Sequence, residues 1–164
     1  MVIHSSSTVL LIEDSLEDGF LIRQSLNPFK AQLDLHQVRN LGEAYHYLSQ
    51  ALLSVQDETL NPDAPLPSCI LLDLDLPDGS GLDLLDWIQH RPALQDVPII
   101  VLTSQPKLIT DGDQREGIAL IMEKPITLDG YNLISETLAS LLIAAGNKSA
   151  PSNDNDPSRA NQAL

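Results

Sequence analysis

The chain is short of several residue types, and each shortage removes a class of protein. One cysteine, Cys69, stands among 164 residues, so no internal disulfide framework can form. It abuts an apolar run and reads as a buried, inert thiol. Basic residues are scarce: nine Lys and Arg face 23 Asp and Glu, a formal charge of −14. The excess is not in the tail, because beyond Gly146 the charges of Lys148 and Arg159 offset Asp154 and Asp156. An acidic surface without a basic stripe argues against direct binding of a nucleic acid. No Lys or Arg precedes the first apolar stretch, and Glu13-Asp14 cuts that stretch short, unlike a signal peptide. No apolar run approaches the ~20 residues that cross a bilayer. No repeat or second domain is visible. The expectation is one soluble, cytoplasmic domain with no membrane partner, long enough to bury its own core.

What the chain does have is four short apolar runs, each followed by a group that can handle phosphate or a cation. Val9-Leu10-Leu11-Ile12 leads to Glu13-Asp14, and Ile70-Leu71-Leu72 leads to Asp73. Ile99-Ile100-Val101-Leu102 leads to Thr103, and Leu120-Ile121-Met122 stands just before Lys124-Pro125. Continuous runs of this kind suit strands buried on both faces of a parallel sheet. In such sheets the functional crevice lies outside the carboxyl ends of the strands. Two acids, an acid, a hydroxyl and an amine are therefore aimed at one place.

Strand and helix alternate five times. Strands are expected at Thr8–Ile12, Leu33–Val38, around Ile70–Leu72, Ile99–Leu102 and about Ala119–Met122. The second has one wetter face and suits a sheet edge. Helices are expected at Leu16–Leu26, from an Asn40 cap to about Leu53, at Leu82–Gln89, and from Leu128 to a stop at Gly146. The last carries Tyr131, Ile134, Leu138, Leu141 and Leu142 on one side, which fits core packing better than a dimer face. A Pro-rich insertion at about 54–67 precedes the third strand. A weak or mobile helix is expected over 105–116, where Gly112 alone costs roughly 1 kcal/mol. Residues 1–7 read as an extension, 8–145 as the domain, and 146–164 as a disordered tail.

The order and spacing of residues 13, 14, 73, 103 and 124, and the block Asp73-Leu74-Asp75-Leu76-Pro77-Asp78-Gly79-Ser80-Gly81-Leu82, resemble a CheY-like receiver domain of two-component response regulators. The resemblance covers roughly Thr8 to Ala145. It implies an α/β fold: a single doubly wound, five-stranded parallel sheet of order 2-1-3-4-5, flavodoxin-like, with helices on both faces. It also implies a stand-alone signalling protein, not an enzyme, with Asp73 as phosphoacceptor. A carboxylate can act as a nucleophile toward phosphorus. Bringing a phosphoryl dianion beside Glu13 and Asp14 calls for a hard cation, and Mg²⁺ suits oxygen ligands. The implied ligands are Asp14, Asp73, the backbone carbonyl of Asp75, and Glu13 through water. Lys124 would neutralise a phosphoryl oxygen and Thr103 would donate its hydroxyl to another. The implied partners are a sensor histidine kinase or phosphotransfer protein and, for output, an unidentified downstream protein or a second copy of the chain. The Pro-rich insertion resembles that of small receivers paired with phytochrome-type kinases.

Two positions depart from the simplest pattern. Ile121 stands where family members usually carry Tyr or Phe, so an aromatic flip coupled to Thr103 is not available. Output is instead expected through the 105–116 segment. Asp75 should face the path of attacking water and tune the lifetime of the phosphoryl state. Two rival readings share these residues. Asp73-Leu74-Asp75 also resembles the nucleophile motif of haloacid-dehalogenase-type phosphatases, but their second acidic pair follows the lysine, and Glu13-Asp14 precedes it. A receiver-shaped module that is never phosphorylated would have lost an acid, the acceptor or the lysine, and none is missing. His4, His36, His46 and His90 show no ligand spacing.

Overall fold

The computed structural model describes residues 6–57, 63–104 and 117–148, with the side chains of the last helix as far as 142. The expected helix over 105–116, most of the tail and part of the Pro-rich insertion lie outside the described residues.

Five parallel strands form one sheet: β1 (Ser7–Ile12), β2 (Leu33–Val38), β3 (Cys69–Asp73), β4 (Ile99–Thr103) and β5 (Ile118–Glu123). Their spatial order is β2-β1-β3-β4-β5, as the family resemblance implied. The central strands are buried along their whole length because both faces are covered, which is why they read as unbroken apolar runs. Strand β2 sits at an edge, and Asp34 at its exposed position matches the wetter pattern.

Side-chain alternation sorts the core into two halves. Leu10, Ile12, Ile70, Leu72, Ile99 and Val101 point to one face, which is covered by α2 (Leu41–Gln56) and α3 (Gly81–Gln89). A single turn, α4 (Pro92–Gln95), adds Leu94 there. Val9, Leu11, Cys69, Leu71, Ile100 and Leu102 point to the other face, where α1 (Leu16–Ser25) packs beside α5 (Leu128–Lys148). Each fully buried Leu or Ile contributes about 1.5–3 kcal/mol, so neither half is dispensable. Cys69 is fully buried, and burial pushes its thiol up to about 12.

Local chemistry sets the helix starts. Ser15 Oγ accepts the Asp18 amide at 3.1 Å, and Asn40 Oδ1 accepts that of Glu43 at 2.8 Å. In α2 the buried tyrosine is Tyr47, whereas Tyr45 packs edge-on against Trp87, with centroids 5.3 Å apart. Leu138 and Leu142 are buried and Leu141 packs against the same core half, so this face of α5 belongs to the interior. Helix α5 does not stop at Gly146 as expected but runs on to Lys148. An internal glycine costs only about 1 kcal/mol, too little to end a helix anchored by Tyr131, Ile134 and Leu138. The turn after β3 is a small antiparallel ribbon, Asp75–Leu76 against Gly79–Ser80. Among the described residues no helix is long and apolar enough to cross a membrane.

Candidate functional site

Parallel register puts the ends of four strands along one rim. Ile12 pairs with Leu72, Asp73 with Leu102, and Thr103 with Glu123. The residues that end or follow these strands are Glu13, Asp14, Asp73, Thr103 and Lys124. Carboxylate oxygens of Glu13, Asp14 and Asp73 lie within 4.8 Å of one another. Asp14 reaches solvent, whereas Glu13 and Asp73 are 1% and 2% exposed. Carboxylates that deep need partners.

Lys124 is the main one. Its Nζ donates to Asp73 Oδ2 at 2.8 Å and stands 2.8 Å from Glu13 Oε2. The fully buried Glu13 Oε2 thus has the ammonium as its counter-charge. Glu13 Oε1 accepts the Ser15 amide at 3.0 Å. Burial raises the Glu13 carboxyl above its ordinary range, and the nearby ammonium and amide only partly oppose this. For Lys124, burial alone would favour the neutral amine. The hydrogen bond to Asp73, the contact with Glu13 and both negative charges outweigh it and hold the ammonium charged well above its ordinary range.

The remaining site residues are fixed by backbone contacts. The Asp75 amide donates to Asp73 Oδ1 at 3.0 Å, so both acceptor oxygens of Asp73 are engaged. The Lys124 backbone amide donates to the Thr103 carbonyl at 2.9 Å, which ties the backbone of Lys124 to that of buried Thr103. The Asp75 side chain is exposed, and its Oδ2 lies 3.5 Å from Ser104 Oγ. The glycines of the motif solve packing problems. Gly79 has φ +154°, and a Cβ on Gly81 would stand 2.7 Å from the Asp73 carbonyl oxygen. Ile121 is half-buried against the α2–α3 side of the core.

Three residues that sequence reasoning did not place at the site also belong to this region. The first is Asp78. Its carboxylate accepts the Leu41 and Gly42 amides at 2.8 and 2.9 Å, joining the ribbon to the start of α2. Asp18 Oδ2 lies 3.5 Å from Lys124 Nζ, and its Oδ1 accepts the Tyr131 hydroxyl at 2.6 Å. No local signal marks these pairings, since the Asp18–Tyr131 contact spans 113 residues.

The groups at this rim are three carboxylates, a hydroxyl and an ammonium at the carboxyl ends of the strands. Three carboxylates supply oxygen donors only, the set that divalent ions such as Mg²⁺ prefer.

The family model described as "Response regulator receiver domain" matches residues 9–131. Response regulator Rcp1 of Synechocystis sp. is 35% identical over 96 residues, 58% of this chain and 60% of Rcp1. The swarming motility regulation protein RssB of Serratia marcescens is 34% identical over 100 residues, 61% of this chain and 37% of RssB. The match therefore spans less than two thirds of either relative. The phosphorylated cyanobacterial phytochrome response regulator RcpA has the same fold, with a TM-score of 0.71 at 24% identity over 86% of this chain and 96% of RcpA. The Mn²⁺-bound form of Rcp1 gives 0.68 at 27% identity, over 83% and 94% of the respective chains.

Proposed function

The chain belongs to the response regulator receiver domain family of two-component systems, and on that footing we propose that it signals by accepting a phosphoryl group on Asp73. The donor is a phosphohistidine of a sensor kinase or of a phosphotransfer protein, met in the cytoplasm. A carboxylate oxygen of Asp73 attacks phosphorus and a new O–P bond forms. The P–N bond to the donor imidazole breaks, its electron pair goes to that nitrogen, and the nitrogen takes up a proton.

The observation that carries this reading is the Lys124 ammonium, 2.8 Å from Asp73 and from Glu13. A phosphoryl dianion entering among three carboxylates meets about 4 kcal/mol of repulsion per charge pair at 4 Å and an effective dielectric of 20. Lys124 is placed to offset part of that cost as a point charge. Buried Thr103 supplies a hydroxyl to a second phosphoryl oxygen, and the Asp75 amide keeps the Asp73 carboxylate oriented. A divalent cation, Mg²⁺ in this reading, would be held by Asp14, Asp73 and the Asp75 carbonyl, with Glu13 through water, and supplies positive charge to the phosphoryl oxygens. The Mn²⁺-bound form of Rcp1 supports a divalent ion in this class. The new charge then shifts a pre-existing conformational equilibrium that a partner protein, or a second copy of the chain, reads.

The test is intact mass after incubation with phosphoramidate and Mg²⁺. One phosphoryl adduct is expected, absent in Asp73→Asn and with EDTA. A folded protein that gains no adduct while another receiver reacts in parallel overturns the reading.

A further inference from the structure

The Asp18 carboxylate is divided between two elements. Its Oδ1 accepts the Tyr131 hydroxyl from α5, and its Oδ2 faces Lys124. At 2.6 Å the first contact has the length of a charge-assisted O–H···O⁻ bond. Tyr131 is only 6% exposed and packs in the core half between α1 and α5, so its hydroxyl is a fixed point. The backbone of Asp18 is fixed too, because its amide donates to the Ser15 cap. The carboxylate is thus held at both ends.

Lys124 Nζ consequently has three carboxylates around it: Asp73 and Glu13 at 2.8 Å, and Asp18 at 3.5 Å. The third contact is longer than the other two and acts mainly through charge. Charge is what changes when Asp73 is modified. A phosphoryl group carries more negative charge than the carboxylate oxygen it replaces, so it draws the ammonium more strongly. Asp18 then loses part of its counter-charge, and its bond to Tyr131 must adjust. We infer that Asp18 is a positioning residue for Lys124, held by Tyr131, and that the pair couples the charge state of Asp73 to α5. The coupling to phosphorylation rests on the phosphoacceptor reading above, whereas the positioning of Lys124 does not. The route gives the site an aromatic hydroxyl that responds to it, which Ile121 cannot supply.

The experiment uses the full chain labelled with 3-fluorotyrosine. Tyr45, Tyr47 and Tyr131 are its three tyrosines, and loss of one ¹⁹F resonance in Tyr131→Phe assigns the signal. In the first arm, without any phosphodonor, Lys124→Gln is expected to move the Tyr131 resonance and leave the other two in place. With Asp18→Asn already present, the same change should have no effect. A Tyr131 signal that ignores Lys124→Gln overturns the positioning. Lys124→Arg, which keeps the charge, is expected to give a smaller shift and covers the case where the glutamine variant does not fold.

In the second arm, phosphoramidate and Mg²⁺ are added and the adduct is followed by mass. An adduct with a moved Tyr131 signal supports the coupling, and an adduct without movement overturns it. No adduct, with the first arm intact, overturns the phosphoacceptor reading but leaves Asp18 as the positioning group of Lys124. Tyr131→Phe should change the rate of adduct formation roughly threefold, the size expected for a small displacement of one partly solvated charge. It should add nothing in an Asp18→Asn background. A purely packing role for Tyr131 would add its effect in both backgrounds.

Discussion

The Lys124 ammonium donates to Asp73 Oδ2 at 2.8 Å, and Glu13 Oε2 lies at the same distance from it. One cation therefore offsets two carboxylates that are almost fully buried. Removing it leaves both acids facing each other in low dielectric, the situation in which broken buried pairs are most costly. Lys124→Ala is expected to lower stability at neutral pH by about 2–3 kcal/mol, less than a fully buried pair because the lysine head is partly solvated. The loss should shrink on acidification, since Glu13 already protonates more readily than a free glutamate. Urea denaturation at two pH values checks this. A variant as stable as the parent at neutral pH would show that the ammonium is not compensating these acids.

Asp14 offers a cleaner handle on the cation. It reaches solvent and takes no part in the buried pair, so Asp14→Asn should leave the fold intact. A ligand that binds only the folded state at ten times its Kd adds about 1.4 kcal/mol. Mg²⁺ is therefore expected to raise the melting temperature of the parent and to do so much less for Asp14→Asn. Calorimetry with Mg²⁺ and with EDTA decides it. Equal gains in the two proteins would move the ion away from Asp14.

Much of this arrangement is legible in the sequence, for identifiable reasons. Strands β1, β3 and β4 are covered on both faces, and that burial forces the unbroken apolar runs that reveal them. The residues that end or directly follow them are chemically distinctive, so Glu13, Asp73 and Thr103 announce themselves. Asn40 could be read as a cap because its partner Glu43 lies three residues away. Asp78, Asp18 and Tyr131 were not legible, since their partners are chosen by tertiary packing 36 to 113 residues away. Helix α1 shows the same limit on a smaller scale. Leu16 and Phe20 are exposed while Ile22 is buried, and composition alone does not say which apolar residues a short helix turns outward.

Asp78 makes a prediction about pH. The Leu41 and Gly42 amides hold its carboxyl below the 3.8 of a free aspartate. A depressed carboxylate contributes stability that is present above the unfolded value and is lost as pH falls through the lower folded value. Asp78→Ala should therefore have a lower urea midpoint than the parent at neutral pH, and the two should converge only below 3.8. An unchanged gap at about pH 2.5 would mean that the charge of Asp78 is not what secures α2.

Gly81 ties the fold most directly to Asp73, the proposed acceptor. A methyl group there would stand 2.7 Å from the Asp73 carbonyl oxygen and 3.0 Å from Leu74 Cα. Both neighbours are backbone atoms, so neither can yield by changing rotamer, and the chain itself has to move. The Gly81 amide also donates to the Leu74 carbonyl at 2.9 Å, which locks α3 against the segment leaving β3. Overpacking at such a contact costs typically about 1–3 kcal/mol, and Gly81→Ala is expected to fall in that range. Its second effect should be local. Displacing the Asp73 backbone disturbs the amide contact from Asp75 and the approach of Lys124, so adduct formation with phosphoramidate should slow more than stability alone explains. Measuring both in one preparation separates the two effects. A destabilised Gly81→Ala protein that reacts at the parent rate would show that the start of α3 supports the fold without shaping the acceptor.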